Sequence, residues 1–183
     1  MPKCFEKFSY TRVVLDCTEL FVQTPSCLEN KATTDSHYKS HNTFKALVVI
    51  SMTGAVVHVS KLWSGSVSVV HITRSSGLLE QIEPGDAVVV DKGFIQLKSD
   101  LEKKNAKLYC PPFMSSKAQF SKSEFEFTKR IASARIHMER KIEQTKNFRI
   151  LQGVTTINLS GIFSSIFFAC SALTSLLRPL VKE

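Results

Sequence analysis

Apolar residues fall into short β-branched runs in the first two-thirds of this chain and into a helical repeat further on. In "RVVLDCTEL" (residues 12–20) and "AVVVDKGF" (residues 87–94), an aliphatic run leads straight into an aspartate. Such runs predict buried strands, the first over about 12–17 and ending at Asp16, the second running up to Asp91. "TFKALVVIS" (43–51) and "AVVHVSKLW" (55–63) predict two more strands, joined by the "MTG" turn of a hairpin. "AKLYC" (106–110) predicts a short strand, stopped by Pro111 and Pro112. The polar stretch "PSCLENKATTDSHYKSHN" (25–42) reads as a loop or insertion.

Helical signals occupy the gaps. The second half of "SGSVSVVHITRSSGLLEQI" (64–82) and the segment "IQLKSDLEKKN" (95–105) each predict a helix. Ser121 and Glu124 are spaced as a capping box that opens a long helix to about Thr145. On it Ile131, Ala134, Met138, Ile142 and Thr145 recur at helical spacing and predict a core-facing stripe. From Ile150 to Leu177 no residue is charged, a length that could span a bilayer of roughly 30 Å. Gly153, Gly161 and many Ser, Thr, Asn and Gln interrupt it, so a buried C-terminal helix over about Ser160–Leu177 is expected instead. The resulting order is β, β-hairpin, α, β, α, β, α, α. It predicts an α/β fold with a mixed sheet and flanking helices, the element order of ribonuclease-H-like proteins.

Composition adds three constraints. At 183 residues the chain fits one domain that buries about two-thirds of its unfolded surface. No linker, repeat or low-complexity tract divides it, so residues 1–183 are expected to form a single unit. The five cysteines (Cys4, Cys17, Cys27, Cys110 and Cys170) are odd in number and lack a CxxC spacing. That excludes a disulfide framework or zinc-ribbon pattern and favours a reducing cytosolic or nuclear setting. Of the net charge of +8, +7 falls between residues 98 and 149, where 13 Lys/Arg face 6 Asp/Glu. Positive charge concentrated in this way suggests a polyanion such as nucleic acid, or else a solvated helical face.

In mixed α/β sheets, ligands gather at the carboxyl ends of strands. Asp16 and Asp91 both fall at predicted strand ends, and if the strands are neighbours their carboxylates lie close. Like charges that near each other call for a cation or a proton. Hard oxygen ligands without Cys or His favour Mg²⁺ or Mn²⁺ over zinc. The plainer alternative is that each aspartate simply opens a turn. A third carboxylate would come from the long helix, where Glu139 and Glu143 are both candidates. Either could equally be a surface glutamate paired with Arg135, Arg140 or Lys146.

Seven blocks, "VVLDCTEL", "YKSHNTFKALVVIS", "GAVVHVSKLWSGSVS", "EPGDAVVVDKGF", "YCPPF", "RIASARIHMER" and "NFRIL", occur in the order found in one known family. From about Val13 onward the chain resembles the DDE superfamily endonuclease domain of Harbinger-type transposases. The resemblance implies a ribonuclease-H-like nuclease core and a carboxylate cluster that holds divalent metal, Mg²⁺ or Mn²⁺, and acts on DNA. By position, Asp16 matches the acid after the first strand and Asp91 the acid of the "DRGF/DKGF" turn. Glu139 matches the glutamate of the "RIHVER"-like helix, which selects it over Glu143. One departure stands out: where the family usually carries a further aspartate in a "GSVSDK"-like block, this chain reads "GSVSVV", with Val69.

The resemblance thus implies metal-assisted phosphodiester cleavage by Asp16, Asp91 and Glu139; at Val69 either the missing acid is secondary, or this copy is decaying or repurposed and its activity impaired. Lys129, Arg130, Arg135, Arg140, Lys141, Lys146 and Arg149 are the expected phosphate contacts. His71 and His137 are expected to be structural. The alternatives are an inactive, domesticated module that binds DNA or protein, and an inert product of a decaying copy. With the reducing setting inferred from the cysteines, a DNA substrate makes the nucleus the expected location and the cytoplasm the alternative. No zinc finger or helix-turn-helix precedes the first strand, so the chain is expected to be a fragment whose DNA-binding domain lies elsewhere.

Overall fold

A computed structural model of the chain describes residues 11–36, 38–113 and 119–177; Cys4 lies outside them. Its elements are β1 (Thr11–Phe21), α1 (Leu28–Thr34), β2 (Asp35–Ser36), β3 (His41–Ser51), β4 (Val56–Val59), β5 (Trp63–Ser64) and α2 (Val69–Ser75). They continue with β6 (Ala87–Val89), α3 (Lys98–Glu102), β7 (Lys107–Tyr109), α4 (Lys122–Lys146) and α5 (Ser160–Thr174). The central sheet runs in the order β2-β3-β1-β6-β7, and β4 and β5 both pair with β3. β3 is antiparallel to β1, whereas β6 and β7 lie parallel to β1 and to each other. This mixed sheet with helices on both faces is the ribonuclease-H-like arrangement that the pattern predicts.

Apolar layers cover both sides of the sheet, which is why its strands read as continuous hydrophobic runs. On one face Val14, Val48, Ile50 and Val89 pack against Ile131, Ala134 and Met138 of α4 and Phe163 and Phe167 of α5. On the other, Val13, Leu15, Leu47, Val49 and Val88 pack against Val70 and Ile72 of α2, with Phe94, Leu97 and Leu101. Alternate residues of one strand therefore serve different layers. Val14, Asp16 and Leu20 belong to the α4 side, and Leu15 and Cys17 to the α2 side.

Several elements depart from the sequence pattern. β1 does not stop near Asp16 but runs on to Phe21, because β3 pairs with it as far as Phe21↔Thr43. The supposed loop contains the short helix α1, which has no side-chain N-cap. It is held by tertiary bonds instead: Asn42 Nδ2 donates to the Lys31 carbonyl (2.9 Å) and to Thr34 Oγ1 (2.8 Å). The second hairpin strand splits into β4 and β5, where Ser60 Oγ accepts from the Leu47 N–H at 2.9 Å. α3 shrinks to Lys98–Glu102 behind a 3-10 turn over Lys92–Leu97. The capping box of α4 forms, with Ser121 Oγ accepting from the Glu124 N–H (3.2 Å) and Glu124 Oε2 from the Ser121 N–H (2.9 Å).

The C-terminal helix is shorter than expected and only half buried. Phe163, Phe167 and Cys170 point into the core, while Ile162, Phe168 and Leu173 are exposed. Adjacent phenylalanines therefore differ sharply in what they contribute. Phe167→Ala should lower stability by about 3–5 kcal/mol, the usual cost of a cavity left by a fully buried ring. Phe168→Ala should change it by no more than about 0.5 kcal/mol, as for surface positions generally. Equilibrium urea denaturation of the two variants measures the contrast.

Candidate functional site

Pairing between β1 and β6 sets the site. Val14 sits opposite Val89 in parallel register, and β6 ends there while β1 continues. Two residues further along each chain, Asp16 and Asp91 come up side by side on the α4 face. Each also makes a local bond of the turn-opening kind. Asp16 Oδ1 accepts the Cys17 N–H at 2.8 Å, and Asp91 Oδ1 accepts the Lys92 N–H at 2.7 Å as N-cap of the following 3-10 turn. Opening a turn and meeting in space are thus compatible for Asp91.

What stands between the two aspartates is Arg135 of α4. Its Nη2 lies 3.2 Å from Asp16 Oδ2 and its Nη1 3.5 Å from Asp91 Oδ1. Glu139, one helical turn on, brings Oε1 to 3.9 Å from the same Nη2. Three carboxylates from β1, the turn after β6, and α4 therefore surround one guanidinium. Glu143 is exposed and has no ion pair among the described residues. Exposure rises outward through the cluster: the Asp16 and Arg135 side chains are each 20% exposed, Asp91 46% and Glu139 60%. With the guanidinium wedged among them, no three Asp, Glu, His or Cys side chains among the described residues are grouped to share a metal ion.

Burial dominates the electrostatics at Asp16. It raises the carboxyl pKa above its ordinary value, and the Asp91 charge adds to the rise. The Arg135 charge and the Cys17 N–H oppose the shift without cancelling it. Burial and the Asp91 charge likewise push the neighbouring Cys110 thiol up.

The seven cations expected at phosphates divide. Lys129, Arg140 and Arg149 are exposed, and Arg130 is half-buried with its side chain 3.6 Å from Glu126. Lys141 is 2% exposed: its Nζ donates to the Thr174 carbonyl (3.2 Å) at the C-terminal end of α5, where a cation suits the helix dipole. Lys146 Nζ is turned onto the Glu19 carbonyl at 2.7 Å. Arg135 is engaged with the acids. These three are therefore structural cations here, and the α4 charge is less available to solvent than its composition suggests. His71 stacks edge-on against Trp63, with ring centroids 5.2 Å apart. His137 is half-buried, and burial together with the nearby Arg140 charge lowers its pKa.

Val69 is the first residue of α2, behind the N-cap Ser68, whose hydroxyl accepts from the His71 N–H. A Cβ built on Gly93 would lie 3.6 Å from Val69 Cγ2, so Val69 abuts the Asp91-Lys92-Gly93 turn. One ion pair has no counterpart in the sequence reading. Lys45 Nζ reaches Glu19 Oε1 across the β1–β3 ladder (3.3 Å) and donates to the carbonyls of Gly65 (2.6 Å) and Val67 (3.1 Å). It thereby fixes the strap that delivers Ser68 and Val69 beside the acid turn. A lysine and a glutamate inside otherwise apolar strands were the available signal.

Asp16 yields a pH prediction. A folded pKa above the unfolded value means that protonation favours the fold. That contribution is complete below the unfolded pKa and is lost as pH rises through the folded one. In metal-free buffer, Asp16→Asn should therefore gain thermal stability relative to the wild type as pH climbs above about 4, the ordinary carboxyl value. The gain should level off once the pH has passed the folded pKa. Calorimetric melting across a pH series checks it, and an advantage confined to the most acidic samples would contradict a desolvated Asp16.

The comparisons with known proteins add one positive finding. The family model described as DDE superfamily endonuclease matches residues 15–175, a span that holds Asp16, Asp91, Arg135 and Glu139. No curated protein and no solved structure matches the chain. The match covers most of the sequence, and the chain belongs to the DDE superfamily endonuclease family.

Proposed function

We propose that this protein is a divalent-metal-dependent DNA endonuclease of the transposase type, attenuated by the valine at position 69. The observation that carries the reading is the meeting of Asp16, Asp91 and Glu139 around one positive group. Three carboxylates brought together from distant parts of the chain repel one another unless a cation joins them. The donor set is all oxygen, which suits Mg²⁺ or Mn²⁺. Asp16, Asp91 and Glu139 would hold such ions. Bound there, divalent metal supplies an activated water and charge stabilisation at the leaving oxygen of a phosphodiester. The blocks quoted above favour the Harbinger type within the family.

The chain's own residues supply position and charge. β1 and β6 fix the two aspartates from a rigid sheet, and α4 carries Glu139 over the same edge. Lys129, Arg130, Arg140 and Arg149 are left to neutralise the phosphates of DNA. If each meets one phosphate, the logarithm of DNA affinity should fall against the logarithm of salt with a slope of about −3 to −4. Filter binding across a salt series measures this, and a flat response would remove these cations from the DNA path.

Val69 favours a second reading, a protein that keeps the fold and DNA binding without turnover. An aspartate at the start of α2 would face the same turn as Asp91 and add a negative charge to the rim. Val69→Asp should therefore strengthen Mn²⁺ binding and raise nicking of supercoiled plasmid in Mg²⁺ or Mn²⁺. Adding Asp91→Asn should abolish whatever is gained. A wild type that already nicks as fast as Val69→Asp would show position 69 to be dispensable. Metal binding by both proteins without cleavage by either would favour the second reading.

A further inference from the structure

Arg135 is held differently from the other enclosed cations of the fold. Lys45, Lys141 and Lys146 each donate to a backbone carbonyl, at 2.6, 3.2 and 2.7 Å, whereas Arg135 reaches only carboxylates among the described residues. Arg135 has five N–H donors yet makes one hydrogen bond among the described residues, the 3.2 Å contact to Asp16. Its approaches to Asp91 and Glu139, at 3.5 and 3.9 Å, are charge contacts too long for good hydrogen bonds. Its Nε is buried without a partner among the described residues. A guanidinium evolved to stay in one place usually satisfies its fork in paired, bidentate geometry. Here it is retained by the surrounding negative charge, and the fit is poor.

The acids depend on it in turn. Among the described residues Asp16, Asp91 and Glu139 have no other cationic partner in an ion pair. The outer side of the cluster faces solvent, since the Asp91 and Glu139 side chains are 46% and 60% exposed.

We propose that Arg135 is a stand-in cation, docked between Asp16, Asp91 and Glu139 when they hold no metal and ejected when a divalent ion binds. This rests on the reading that these three residues are the metal ligands. The two occupants would exclude each other because both draw on the same three carboxylates, those of Asp16, Asp91 and Glu139. Metal affinity is therefore weakened by whatever free energy docks the guanidinium, and the metal-free fold is stabilised by the same amount. The device makes Arg135 a positioning residue for the empty site and a competitor for the filled one.

The test is Mn²⁺ binding, followed by the electron paramagnetic resonance signal of the free ion, in wild type, Arg135→Gln and Arg135→Lys. Arg135→Gln should bind Mn²⁺ at least about five times more tightly, the lower end of ordinary coupling between two sites. Its melting temperature without metal should fall and should rise on adding Mn²⁺ by more than the wild type's does. Arg135→Lys keeps the charge, and so the fold, if the neutral variant proves unstable. Its shorter side chain cannot span three carboxylates, so affinity should tighten by a smaller factor. Unchanged or weaker Mn²⁺ binding in these variants, with Asp91→Asn abolishing it in all, would overturn the stand-in while leaving the acids as ligands. Failure of every form to bind Mn²⁺ would overturn both the stand-in and the metal reading beneath it.

Discussion

β1 is paired on one side with β3 from Val13 to its end at Phe21 and on the other with β6 only as far as Val14. That mismatch in strand length is the constraint from which the site follows. Where β6 ends, β1 has lost a neighbour but keeps a rigid backbone, so a side chain there is both fixed and open to one edge. Asp16 occupies that position. The turn after β6 must leave the sheet at the same point and is opened by Asp91, so the two acids meet because the sheet stops there. α4, laid across the same face by Ile131, Ala134 and Met138, brings the third acid over the gap.

Charge then decides what the gap contains. Hydrophobic packing places the acids whether or not they attract anything, and burial makes Asp16 reluctant to ionise. The fold answers from the same helix, one turn before Glu139. Basic residues on α4 thus serve two opposed ends: some face solvent, while Arg135, Lys141 and Lys146 compensate carbonyls and carboxylates inside. A net charge read from the sequence cannot separate these, because a lysine contributes +1 wherever it points.

Features settled by neighbours in sequence were legible. The Ser121–Glu124 box, the strand before Asp91 and the periodic stripe of α4 all depend on residues within a turn or two of each other. Features settled by distant partners were not. β1 runs past Asp16 because β3 lies beside it, and α1 survives at seven residues because Asn42 grips its last turn. The acids could be singled out from their strand ends and from a family resemblance, but Arg135 looked like any cation on a basic helix. Its spacing of four from Glu139 was the only local hint. Lys141 carried a clearer one, for it lies in the same helical phase as Ala134, Met138 and Thr145, and it is buried as they are.

The outer face of α5 bears on how the molecule behaves in solution. Ile162, Phe168 and Leu173 present apolar side chains to water along one helix, on a protein whose net charge is +8. Like net charge on two such molecules opposes their approach, and no charged residue lies on that helix to add a polar coat. At about 1 M salt the screening length falls to about 3 Å, and that repulsion no longer reaches across the gap between two molecules. High salt therefore weakens the electrostatic barrier between apolar faces such as that of α5.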